Sequence, residues 1–71
     1  MDKYEYRLKT EHIKRLAAKK EYASAVKICD GIDWNKVKDV KMLTAVSDIY
    51  EAVGRYQEAI DVLIQAYQYA P

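Results

Sequence analysis

"GRYQEAI", Gly54 to Ile60, repeats a stretch met earlier in the chain, "KEYASAV", Lys20 to Val26. Tyr56 lies 34 residues after Tyr22, and the same interval separates Ala59 from Ala25 and Ile60 from Val26. A fixed period of this length marks units that cannot bury their apolar faces alone and so stack on one another. Working outward, Tyr56, Ala59, Ile60, Leu63, Ala66, Tyr67 and Ala70 recur at the spacing of one helical face. Met42, Leu43, Val46, Ile49, Tyr50 and Val53 form a second stripe, ended by Gly54, a residue suited to the left-handed turn after a helix.

The first half repeats the scheme with Tyr6, Ile13, Leu16 and Ala17 on one helix and Tyr22, Ala25, Val26, Cys29 and Ile32 on the next. Lys20 stands where Gly54 stands later, so the first turn is expected to be looser or strained. "DGIDWNKVKD", Asp30 to Asp39, reads as a linker with a breaker at Gly31, helix caps at Asp33 and Asp39, and one helical turn around Trp34 to Val37. The expectation is therefore an all-α chain of two stacked antiparallel hairpins. Its helices span roughly residues 2–19, 22–31, 39–53 and 56–69 of a single domain, with repeats at about 6–38 and 40–71.

Composition agrees. The 71 residues include one proline and two glycines, about half are apolar, and no apolar run approaches the roughly 18 residues of a membrane span. Disorder, an exported leader and a membrane anchor are not expected. A lone cysteine excludes an internal disulfide and agrees with a cytoplasmic setting. The net charge of +1 is uneven: residues 1–20 carry seven Lys or Arg against three acids, which leaves −3 for the remainder. A solvated lysine-rich helix explains this better than a nucleic-acid surface, which usually makes a whole domain basic.

Chemistry is sparse. Cys29 falls on an apolar stripe and reads as a buried structural cysteine, and His12 reads as a packing or boundary residue. One His and one Cys fall short of a zinc set, Gly31 and Gly54 are isolated rather than part of a phosphate loop, and the aspartates fit capping better than calcium. No enzyme, cofactor, metal or small-molecule substrate is expected. Five tyrosines are assigned to the core, leaving Tyr4, Trp34 and Tyr69 as surface anchors for a partner.

The second hairpin resembles a tetratricopeptide repeat, whose pattern runs Trp-x2-Leu-Gly-x2-Tyr, Ala-x3-Phe, Pro. Leu43, Val46, Ser47 and Tyr50 fill the first group, Ala59 and Leu63 the second, and Pro71 closes the unit; Gly54, Tyr56 and Ala66 are also typical. In the first hairpin the corresponding positions hold Lys9, His12, Ile13, Leu16, Ala25, Cys29 and Val37, a degenerate copy. The resemblance implies a right-handed helical solenoid, here the front part of a longer protein of bacterial style, that binds proteins without catalysis. It also implies that the first helix of each repeat lines a groove for a peptide or partner helix, which places Arg7, Thr10 and Lys14 beside Lys41, Thr44 and Asp48. A ligand acidic near the first repeat is expected from Arg7 and Lys14. The alternative is a basic element that docks on RNA or an anionic surface through the first helix. Because Val62, Ile64 and Tyr69 fall on the shoulders of the last helix, they are expected to form an open surface for further repeats or a second copy.

Overall fold

The structure, a computed structural model, describes residues 1–70. Pro71, assigned to the closing position of the repeat, lies outside the described residues. Asp2 caps the first helix, its Oδ1 accepting from the Glu5 amide at 2.8 Å, and α1 runs Lys3–Ala18. After a turn at residues 19–21, α2 runs Tyr22–Cys29. A single 3₁₀ turn, Trp34–Lys36, interrupts the linker. Then α3 runs Val40–Ala52 and α4 runs Tyr56–Tyr69. The chain is all-α: α1 packs on α2, α3 packs most extensively on α4, and α2 lies against α3, so two hairpins stack. Both expected linker caps form, Asp33 accepting from the Asn35 amide at 3.1 Å and Asp39 from the Met42 amide at 3.2 Å.

The two hairpin turns close with the same bonds. Glu21 donates its amide to Leu16 O at 2.9 Å and Lys20 to Ala17 O at 2.9 Å; one period later Arg55 donates to Tyr50 O at 2.8 Å and Gly54 to Glu51 O at 3.0 Å. This paired closure needs a left-handed residue just past the helix. Gly54 supplies it at φ 82°, and Lys20 is forced into it at φ 61°. The first turn is thus strained rather than loose, by about 1 kcal/mol for a side chain in that region.

The core is concentrated in the second hairpin. Eight of the thirteen buried apolar residues lie on α3 and α4, three on α1 and α2, and two in the linker. From α3 come Met42, Leu43, Val46, Ile49 and Tyr50; from α4 come Ala59, Val62 and Ala66. Small residues permit this contact: the buried Ser47 hydroxyl donates to the Ala59 carbonyl at 2.7 Å, which draws α3 onto the backbone of α4. Ile13, Ala25 and Cys29, none with any exposed surface, serve the first hairpin, with Tyr6, Leu16, Ala17, Tyr22 and Val26 packed around them.

Several residues sit differently from expectation. Trp34 is buried instead of serving as a surface anchor, because its indole N–H donates to the Cys29 carbonyl at 2.9 Å and so satisfies the ring's one polar atom. The linker is tied down from the other side by Gln65, whose amide donates to Trp34 O and, at 2.8 Å, to Val37 O. Val62 consequently belongs to the core and not to an open shoulder. Tyr56 and Tyr67, expected inside, are exposed, since the covered arc of α4 is centred on Ala59, Val62 and Ala66. Finally, α2 ends at Cys29, two residues short of the expected limit, with Asp30 as its cap.

Candidate functional site

Of the six residues expected to line a groove, five are exposed: Arg7 and Lys14 on α1, and Lys41, Thr44 and Asp48 on α3. Arg7 and Lys14 are two turns apart and share one side of α1, whereas Lys41, Thr44 and Asp48 share one side of α3, and the two helices touch. Thr10 is the exception. It is buried, and its hydroxyl donates to the Arg7 carbonyl at 3.1 Å, inside its own helix. A threonine can hide in this way because that bond satisfies its hydroxyl, an option a lysine at the same place would lack. Thr44 also turns its hydroxyl onto its own helix, donating to Val40 O at 2.8 Å, yet it stays at the surface.

The electrostatics of this face are those of a solvated surface. Arg7 Nε lies 3.8 Å from Glu11 Oε1, and Lys9 Nζ lies 3.3 Å from Glu5 Oε2, both pairs open to water and one turn apart. Such pairs are weak, so Arg7 is free to exchange Glu11 for another acid at little cost.

A second cluster gave no signal in the sequence because its members are 25 residues apart. Arg55 grips Asp30 with two bonds of 2.8 Å, and its Nε and Nη2 reach Glu58 at 2.7 and 2.5 Å. Its guanidinium lies 4.9 Å from the Tyr50 ring centre, and the Tyr50 hydroxyl donates to Asp30 at 3.3 Å. The Arg55 guanidinium holds Asp30 below the usual carboxylate range, and burial, with Asp30 adding to it, pushes the Tyr50 hydroxyl up to about 12. This cluster fastens the end of the first hairpin to the turn of the second.

Burial, seconded by Asp30, also pushes the Cys29 thiol up to about 12, so the sulfur is held as an unreactive thiol inside the core. His12 is exposed on α1. Among the described residues, no group of three His, Cys, Asp or Glu is arranged to hold a metal ion, and no helix is long and apolar enough to cross a membrane. An open groove of about 470 Å³ lies between the start of α1 and the linker, lined by Lys3, Tyr6, Ile32, Lys36, Val37 and Asp39 among others. The Tyr6 hydroxyl there is shielded and has no hydrogen-bond partner, and burial raises its pKa, with Asp39 adding to the effect.

Of the residues expected on the association surface, Ile64 and Tyr69 are exposed, at 52% and 41%. The Lys38 ammonium lies 6.0 Å from the Tyr69 ring centre. The larger exposed apolar feature of α4 is a stripe of Tyr56, Ile60, Ile64 and Tyr67. Neither a protein-family model, nor a curated protein, nor a solved structure matches this chain.

Proposed function

We propose that the chain is a non-catalytic protein-interaction or assembly module of the tetratricopeptide type, working in the cytoplasm of a bacterium, and that the outer faces of α1 and α3 receive an acidic peptide or partner helix. The observation that carries this reading is the exposure of Arg7, Lys14 and Lys41 on two helices that touch. Three cations on adjoining rods form a track along which an extended acidic segment exchanges its solvation for several weak charge contacts at once. Asp48 repels acid at the far end and so sets the direction in which such a segment lies.

A labelled glutamate-rich peptide, titrated at low salt, tests the reading. The variant carrying Arg7→Glu and Lys14→Glu should bind it roughly tenfold or more weakly while keeping its helical circular dichroism. Unchanged binding would overturn the assignment of this face. A parallel titration with single-stranded RNA separates the alternative: tighter binding to RNA, with a steep loss as salt rises, would point to the nucleic-acid mode instead.

A further inference from the structure

The stripe on α4 gathers four of the eight large apolar side chains that stand exposed among the described residues. Tyr56, Ile60, Ile64 and Tyr67 are 63, 51, 52 and 69% exposed. One period earlier, Tyr22 and Val26 occupy the places of Tyr56 and Ile60, and there they are packed against the core, in a helix that lies between α1 and α3. Among the described residues, none covers this stripe of α4.

Read along the helix, the stripe is Tyr, Ile, Ile, Tyr, the same in either direction. A second α4 laid antiparallel on the first therefore sets Ile60 against Ile64 and Tyr56 against Tyr67, in a register that agrees to within one residue, or about 1.5 Å of helix rise. This self-complementarity is what a two-fold interface requires. The charged residues of the helix do not oppose it. Asp61 is held by Gln57 at 3.0 Å and Glu58 by Arg55, and neither lies on the stripe. The four side chains offer roughly 500 Å² per copy, or about 1,000 Å² for the pair, the size at which specific interfaces begin. By contrast, the side of α1 that bears the exposed Tyr4 and Leu8 also carries Glu11, His12 and Arg15, so a head-to-tail copy would bury charge against isoleucine.

We infer that the chain forms an antiparallel two-fold dimer through α4, with a second copy of itself as the occupant of this stripe. Sedimentation equilibrium from micromolar to millimolar concentration should show a monomer–dimer equilibrium. Ile60→Lys with Ile64→Lys should weaken it by roughly a hundredfold or more, since each ammonium would enter an apolar seam. Both side chains are half exposed in the single chain, so the variant should keep its helical spectrum. An equimolar mixture of Ile60→Cys and Ile64→Cys chains should cross-link on mild oxidation, Cys29 being wholly buried and out of reach. A wild-type chain that stays monomeric at millimolar concentration, or a dimer indifferent to the two lysines, would overturn the proposal. So would association abolished by Arg15→Glu, which would instead indicate head-to-tail stacking.

Discussion

The turn around Lys20 and the turn around Gly54 have the same bonds and the same handedness, but only the second has a residue that adopts this backbone freely. The contrast extends through both hairpins. In the second, Ser47 and Ala59 let the helices meet, and Leu43, Val46 and Tyr50 fill the space around that contact; in the first, Ile13 stands at the place of Ser47, and the half-exposed Lys9 at that of Leu43. The two turns share a geometry although their residues differ. A hairpin already docked on a well-packed neighbour tolerates a strained turn and a thinner core, because the neighbour supplies burial it lacks.

The largest effect expected from breaking this comparison is at the helix contact. Ala59→Leu should force α3 and α4 apart and cost about 1 to 3 kcal/mol, as overpacking does. Thermal unfolding measures it, and an unchanged Tm would mean that Ala59 does not set the approach of the two helices. Next come the turns, which exchange residues. Gly54→Ala meets no atom within 4 Å of the added carbon, so its cost is the backbone conformation alone, about 1 kcal/mol. Lys20→Gly should move the other way and stabilise by up to about 0.5 kcal/mol, the larger part of the relief being offset by the freedom glycine gains in the unfolded chain. Opposite shifts in Tm, a loss of several degrees for Gly54→Ala and a smaller gain for Lys20→Gly, are the expected pair of results.

The smallest effect belongs to the clamp between the hairpins. Arg55 lowers the pKa of Asp30 from its ordinary 3.8, so the carboxylate stabilises the fold above that value, and this contribution is lost as pH falls through the lower, folded value. Chemical denaturation between neutral pH and pH 2 should therefore show an acid-side loss that Asp30→Asn reduces. Because both partners face water, the change should be small beside that of Ala59→Leu.

The difference between the hairpins also explains what was legible in the sequence. The limits of α4 were readable because Gly54 stops one helix and an unbroken apolar spacing carries the next to Tyr69. Which part of that apolar arc is covered was not readable. The arc extends over more than half the helix circumference, and spacing alone gives no sign that Ala59, Val62 and Ala66 face inward while Tyr56 and Tyr67 face water. Asp33 and Asp39 were recognisable as caps since capping is local, acting within three residues. The burial of Trp34 is not legible in the sequence, because its hydrogen-bond partner is a backbone carbonyl, which no side-chain pattern announces. In the candidate groove, exposure of the charged residues followed from their chemistry, whereas Thr10 depended on a bond within its own helix. The union of Asp30 with Arg55 is a product of folding and left no mark in either local stretch.

The burial of Trp34 has a spectroscopic consequence. It is the one tryptophan of the chain, and it sits in the linker between the hairpins, bonded to the end of α2 and fastened to α4 by Gln65. Its fluorescence therefore reports whether the first hairpin is docked on the second, while the far-ultraviolet dichroism reports whether the helices exist. If docking and helix formation are one event, the two signals change together during unfolding. If the well-packed second hairpin outlasts the strained first one, the indole becomes wet while most of the helical signal remains, and the gap between the two curves gives the free energy with which one hairpin holds the other.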